Sequence, residues 1–277
     1  MARPNDARDG RRERKVRLFV NQPLAADREV AIEGPPAHYL GHVMRMGAGE
    51  GVALFNGVHG EWQARIQSIG RGRGRLRIER LLHPQAEEPG PLLLFAPLKK
   101  DALDVLVQKS AELGADVLQP VVTRHTTVER VNQERLQAQA IEAAEQCGRL
   151  TVPAVGLLRP LTDVLADWPG DVPLLLMDER GGAPIADAIA RLAQRPPGAP
   201  PPALLVGPEG GFAADEAADV AGRPFVVRVG LGPRILRAET AAIAALACWQ
   251  AFAGDWRASE GAPPDQPREP SNHVGTQ

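Results

Sequence analysis

Cysteine, aromatic residues and long apolar runs are all scarce in this 277-residue sequence. Its two cysteines, Cys147 and Cys248, lack a C-x-x-C partner, which excludes a disulfide framework and a cysteine-built zinc site. Such isolated cysteines read as small buried apolar side chains in a reducing compartment. Aromatics make up only 4% of the chain, too few for the platforms on which sequence-tolerant single-strand binders stack successive bases. The best candidate for a membrane span, 241–249, is about half the roughly 18 apolar residues required. The Arg-rich N-terminus has no apolar segment and carries Asp6, Asp9 and Glu13, so no secretory signal is expected. A cytoplasmic location without membrane insertion follows as the expectation.

Hydrophobic residues at 44% and charged residues at 24% suffice to bury a core, and the length favours two domains over one. The net charge of −2 says little, but its distribution says more. Residues 1–82 hold 15 Lys and Arg against 9 Asp and Glu, a net +6 that leaves −8 for the remainder. That asymmetry directs the N-terminal part toward a polyanion. Arg71, Arg73, Arg75 and Arg77 alternate with Gly and Leu, which on a strand places them on one face. Such a stripe suits phosphate; it also suits an edge strand protected by charge.

Short strand patterns occur at 16–20, 29–32, 52–55, 61–69 and 75–82, with turn signals such as Asn56-Gly57 between them. Residues 36–46 read as a helix, with Pro36 in its first turn and Leu40, Val43 and Met44 on one face. Several short strands in so few residues predict a small barrel. After residues 84–90, a Pro- and Glu-rich linker, strands alternate with helices. Strands are expected at 92–97, 117–122, 173–177, 203–206 and 225–229, and helices at 101–113 and from the Asn132 cap to Cys147. Continuous apolar strands flanked by helices predict a parallel sheet covered on both faces. The fold class is α/β. Polar tails are expected to be disordered at 1–15 and 255–277.

Ligands of open parallel sheets lie beyond the carboxyl ends of the strands. Two such ends are rich in glycine: Gly207-Pro208-Glu209-Gly210-Gly211-Phe212, and Leu231-Gly232-Pro233-Arg234-Ile235-Leu236-Arg237-Ala238-Glu239-Thr240-Ala241. Neither is a GxGxxG fingerprint, and no Lys follows the glycines, so dinucleotide binding and nucleoside triphosphate hydrolysis lack their anchors. Backbone without side chains still approaches a flat ligand closely. Tight turns alone are the competing account.

These two segments resemble the paired motifs of the ribosomal small-subunit RNA methyltransferase E (RsmE) family of the SPOUT superfamily. Arg17-Leu18-Phe19, His38-Tyr39-Leu40 with Val43-Met44-Arg45, 109–114 and 145–149 extend the likeness over about residues 16–253. Met44 stands where the family usually has Leu. The resemblance implies a PUA-like barrel at 16–83 and, at 91–254, a SPOUT α/β domain with a C-terminal trefoil knot. It further implies a homodimer, S-adenosylmethionine as cofactor, 16S rRNA in the small subunit as partner, and methylation at N3 of a uridine in the decoding region.

On that reading, cofactor contacts come from Leu205, Gly207, Glu209, Gly210, Gly211, Leu231, Gly232, Ile235 and Leu236, largely through backbone. Arg234 and Arg237 stabilise charge on the uracil oxygens, because a guanidinium donates planar, permanently charged hydrogen bonds. Glu239 orients an arginine or accepts the N3 proton. Arg17, Arg45, Arg71, Arg73 and Arg75 are the candidates for RNA contact. Lys99-Lys100 and Arg124-His125 either touch phosphate or are solvated charge. Ile243, Leu246, Ala247 and Trp249 recur at helical spacing and are expected either to form the dimer face or to pack within the monomer. Paired acidic residues after the strand ending at Met177 bring Asp178 and Glu179 near the site. His38 and His42 lack a third ligand, so no metal is expected. A noncatalytic RNA-binding protein and a nucleotide-dependent oxidoreductase are the alternatives; the missing GxGxxG counts against the second.

Overall fold

In the computed structural model, which describes residues 16–196 and 198–257, the N-terminal alternation becomes a curled five-stranded sheet. Its strands are β1 (Arg17–Phe19), β2 (Glu29–Glu33), β3 (Gly51–Phe55), β4 (Glu61–Gly70) and β5 (Arg73–His83), in the order β1-β3-β4-β5-β2. β1 pairs parallel with β3 and the other pairs are antiparallel. Exposed and buried positions alternate along β2 and the first half of β5, so Val30, Ile32, Leu76 and Ile78 meet Leu18, Leu54 and Ile66 in one core. Three register shifts between β4 and β5 bend the long hairpin, as unpaired residues in a ladder do.

The helix expected at 36–46 is shorter and wider. A single turn, α1 (Pro35–His38), opens on two prolines and runs into a π-helical turn, Tyr39–Val43. Met44 N–H reaches back five residues to Tyr39 O at 2.9 Å. The added residue in the turn rotates the following side chains, which corrects the expected face: Leu40 is buried, whereas Val43 and Met44 point to solvent.

Contacts divide the described residues into two units. The first joins 16–89 to 107–118 and 132–157. It includes α3 (Gln133–Cys147), where Asn132 Oδ1 accepts from Arg135 N–H at the start and Gly148 adopts φ 90° at the end. Residues 84–89 belong to this unit. Glu88 accepts from the Leu150 and Thr151 amides at 3.2 and 3.1 Å and from Thr151 Oγ1 at 2.6 Å.

Arg17 is the bolt of the first unit. Its Nη1 donates to the Ala144 and Glu145 carbonyls at 2.7 and 3.1 Å, and Nη2 to Arg149 O at 2.7 Å. Its Nε pairs with Glu61, and the guanidinium lies 4.4 Å over the Phe55 ring. A cation is thus set on the carbonyl end of α3, where the helix dipole favours one. The Phe19 amide donates to Glu145, whose carboxyl is raised chiefly by burial, with that amide opposing. Arg149 continues the lattice to the Ala111 and Ala115 carbonyls at 2.9 and 2.8 Å.

The second unit comprises 90–106, 119–131 and the described residues from 158 onward. In chain order the remaining elements are β6 (Leu92–Phe95), α2 (Lys100–Glu112), β7 (Val117–Val122), β8 (Ala154–Val155), β9 (Arg159–Pro160), α4 (Leu161–Ala166), β10 (Leu174–Met177), β11 (Ala183–Pro184), α5 (Ile185–Leu192), β12 (Ala203–Val206), α6 (Ala214–Ala221), β13 (Val226–Gly230) and α7 (Ala238–Phe252). The strands run β11-β13-β10-β12-β6-β7, and β10, β12 and β6 pair parallel in register. β10 and β12 are buried at every position, which is why they read as continuous apolar runs.

Two expectations are corrected here. Cys147 is exposed and Cys248 half-buried, so neither is a core side chain; burial raises the Cys248 thiol. On α7, Leu246 and Trp249 pack inside the chain, leaving Ile243 and Ala247 on the half-exposed side. The expected tails lie outside the described residues apart from 255–257, which are exposed. No described helix is long and apolar enough to cross a membrane.

Arg17 and Glu61 side chains are only 13% and 9% exposed, so truncating one strands the other. Arg17→Ala is expected to destabilise the first unit by about 3–5 kcal/mol in urea unfolding. Arg17→Lys recovers less than half, because an ammonium lacks the planar fork that reaches several acceptors at once.

Candidate active site

Strands β6, β12, β10 and β13 end at one edge of the parallel sheet, and a cavity of about 860 Å³ opens beyond them. Its lining comes from Lys99 after β6, Met177 to Arg180 after β10, Gly207 to Glu209 after β12 and Leu231 after β13. The start of α7 supplies Ala238, Glu239 and Ala241. The volume falls within the roughly 300–1,000 Å³ of small-molecule sites.

Glycine at the turns is a steric requirement. A Cβ on Gly207 would stand 2.7 Å from the Phe212 ring. Gly211 adopts φ +68°, and a Cβ there would lie 2.9 Å from Glu179 Oε1. The first motif therefore presents backbone to the cavity, and Glu179 sets a carboxylate beside it.

Asp178 fastens the ends of β10 and β13 together. Its amide donates to Val229 O at 3.0 Å, and its carboxylate accepts from Arg228 Nη2 at 2.8 Å, Arg180 N–H at 2.9 Å and Arg180 Nε at 3.3 Å. Burial works against charging this group, but the Arg180 amide and guanidinium and the Arg228 charge outweigh it. The carboxyl is held below the usual range.

Gly207, Glu209, Gly211, Leu231, Gly232, Ile235 and Leu236 line the cavity, and so do Arg234, Arg237 and Glu239. Among the described residues the last three make no side-chain hydrogen bond or ion pair, so their charge is uncommitted. Leu205 requires correction: strand alternation turns it into the core against Leu94, Leu174 and Val220, while its neighbour Val206 faces the cavity. Gly210 also lies off the lining, beside His125. Asp101, Ala102 and Val105 of α2, together with Arg180, line the cavity without having been singled out in the sequence. Only proximity in the folded sheet reveals them.

The RNA-contact candidates fall in the first unit. Arg17 is corrected outright, since its donors are consumed by Glu61 and three carbonyls. Arg73, Arg75 and Arg77 share the exposed face of β5. Arg73 stands 3.5 Å from Glu33 and Arg77 3.0 Å from Asp27, both in exposed pairs worth about 0–1 kcal/mol. Arg75 has no such partner among the described residues. Arg71 is in the hairpin turn rather than on the strand, with φ 50°, and Arg45 adopts φ 54° after the π-helical turn.

A family model described as an RNA methyltransferase domain matches residues 87–250, and one described as an RNA methyltransferase PUA domain matches 32–79. The ribosomal RNA small subunit methyltransferase E of Rickettsia conorii is 32% identical over 232 residues, spanning 83% of this chain and 93% of the relative. The chain belongs to the ribosomal RNA small subunit methyltransferase E family. A crystal structure of the family member from Neisseria gonorrhoeae, bound to S-adenosyl methionine, superposes with a TM-score of 0.75 at 29% identity. It covers 87% of this chain and 99% of its own. A methyltransferase from Legionella pneumophila in complex with the same cofactor gives 0.72 at 29% identity, covering 86% and 98%. The family match spans both the curled sheet and the cavity-bearing parallel sheet.

The lowered Asp178 carboxyl sets a pH dependence. Its stabilisation is fully present above the unfolded carboxylate value near about 3.9 and is lost as pH falls through the lower folded value. Asp178→Asn is expected to cost roughly 1.5–3 kcal/mol at pH 7. The gap from the wild type should narrow by pH 3, read from urea midpoints at both pH values.

Proposed function

We propose that this chain is an S-adenosylmethionine-dependent methyltransferase acting on N3 of a uridine in the decoding region of 16S rRNA. The observation that carries the reading is the cavity, lined by both glycine motifs with Arg234, Arg237 and Glu239 uncommitted at its edge. The residues fit the cofactor. Adenosine and an amino-acid cation call for backbone donors and acceptors and a carboxylate, which Gly207 to Glu209, Gly211, Leu231 and Gly232, and the side chains of Glu179 and Glu209 supply. When bound, the cofactor supplies an electrophilic methyl group on a sulfonium, so the protein needs neither a metal nor a covalent nucleophile for this reaction.

The protein's own part is to orient the base and manage one proton. Uridine N3–H is an imide that is mostly protonated at neutral pH, so the nitrogen must lose its proton as it is alkylated. Negative charge then gathers on O2 and O4, where Arg234 and Arg237 donate hydrogen bonds. Glu239, half-buried in the first turn of α7, either accepts the N3 proton or orients an arginine once the base is bound. Positioning supplies much of the remaining rate.

The same reading divides the chain into a PUA-like RNA-binding barrel at 16–83, a linker at 84–90 and a SPOUT domain at 91–254 with a trefoil knot. It makes the enzyme a cytoplasmic homodimer acting on the small ribosomal subunit. Arg45, Arg71, Arg73 and Arg75 contact rRNA phosphate in it, since exposed ion pairs are weak enough to yield to a polyanion.

Purified protein is incubated with radiolabelled S-adenosylmethionine and small subunits from a strain lacking this modification, and the labelled nucleoside is mapped. A 3-methyluridine in the 16S decoding region is expected. Arg237→Ala should lower turnover by about 10²-fold or more while cofactor affinity stays within about threefold. A wild-type rate in that variant would remove Arg237 from the chemistry, and cofactor binding without transfer to 16S rRNA would overturn the substrate.

A further inference from the structure

The glycine-rich segment 207–211 has few side chains with which to hold itself, yet its backbone shapes one side of the cavity. A chain this free loses much conformational entropy when a ligand orders it. Something outside the cavity must fix it in advance, and the carboxyl end of β7 is placed to do so.

Residues 123–126 form a closed turn there. Thr126 N–H donates to Thr123 O at 3.1 Å, Thr123 N–H donates to Thr126 Oγ1 at 2.8 Å, and the two hydroxyls lie 2.9 Å apart. The turn is latched to the start of α6. Arg124 N–H donates to Glu216 Oε1 at 3.1 Å, and the Arg124 guanidinium pairs with Asp215. Between these anchors His125 Nδ1 stands 3.1 Å from Gly211 O and 3.3 Å from Gly210 O. Carbonyl oxygens only accept, so Nδ1 carries the hydrogen and shares it between two consecutive peptides. The approach is close as well: a Cβ on Gly210 would lie 3.7 Å from His125 Cβ.

We infer that His125 is a positioning residue for the cofactor loop: its Nδ1–H, shared by the Gly210 and Gly211 carbonyls, holds residues 207–211 in the binding conformation before the cofactor arrives. The binding readout rests on the function proposed above; the loop's rigidity does not. His125 is absent from the cavity lining, so it acts through the loop and touches no reacting atom. This gives His125 a role other than phosphate contact, beside an Arg124 whose amide and guanidinium reach Glu216 and Asp215.

The side chains themselves supply the test. Asn places an N–H at the same distance from Cβ as His Nδ1, whereas Gln places it one bond further. His125→Ala, His125→Asn and His125→Gln are compared in the full-length protein. Amide hydrogen exchange of 207–212 is followed without cofactor, and S-adenosylmethionine affinity by calorimetry. His125→Ala is expected to exchange at least about fivefold faster in this segment and to bind cofactor roughly 5- to 10-fold more weakly. Its turnover at saturating cofactor should remain within about twofold of wild type. His125→Asn should restore both readouts to within about twofold, and His125→Gln should resemble His125→Ala. Unchanged exchange in His125→Ala, or His125→Asn no better than His125→Ala, overturns the inference. So does weaker RNA binding with cofactor affinity intact, which would make His125 an RNA contact. Should the wild type bind no S-adenosylmethionine, the proposed function falls, and the exchange pattern alone still decides the role of His125.

Discussion

A binding site made of backbone has to be held from outside itself. That constraint governs the cavity-bearing half of this protein. The turn after β12 owes its shape to Gly207 and Gly211, whose Cβ atoms would collide with Phe212 and Glu179, and residues 207–211 offer few side chains for their own support. Support arrives from neighbouring strand ends instead. Asp178 binds β10 to β13 through Arg228 and Val229, and His125 reaches from β7 to the Gly210 and Gly211 carbonyls. Gly182 belongs to the same scheme, because a Cβ there would stand 2.6 Å from the Arg228 backbone. The parallel sheet thus does more than aim its strands at a ligand. It brings four strand ends close enough for the polar groups of one to fix the loop of the next.

The first unit solves a comparable problem with arginine. A short β1 of three residues has little ladder with which to hold its place. Arg17 compensates by spanning Glu61 on β4 and the last carbonyls of α3. Arg149 repeats the device one step further along, satisfying the Ala111 and Ala115 carbonyls. Guanidinium suits the task because it offers five donors in one plane and does not lose its charge. Charge in this half therefore has two separate uses, inward for assembly and outward on β5, and sequence position alone does not tell them apart.

This marks how far the sequence could be read. Strands 117–122 and 203–206 and the Asn132-capped helix ending at Cys147 agree with the structure at both ends, because apolar runs and caps are local signals. The glycine motifs were legible as loops at strand ends for the same reason, and most of their residues line the cavity. The misreadings share one cause: they turn on direction rather than identity. Leu205 and Val206 are alike in composition, and only the phase of β12 sends one to the core and the other to the cavity. The π-helical turn adds a residue that helical periodicity does not anticipate, and it exposes Val43 and Met44. Arg17 reads as a basic surface residue until α3 is folded against it. Asp101 and Val105 could not be found at all, since no local pattern records which helix passes a given strand end.

The outward arginines of β5 sit on a face where charge is nearly balanced. β2 sets Glu29 and Glu33 opposite Arg77 and Arg73, and Glu79 holds Arg65, so the face is balanced while the protein is alone. None of these pairs is buried, and exposed pairs contribute little to stability. Breaking them therefore costs the fold little, and among the described residues Arg75 has no such partner. The buried pairs of Arg17 and Arg149 are of the opposite kind, being expensive to break and closed to any ligand. Burial separates the arginines that build the first unit from those left on its surface.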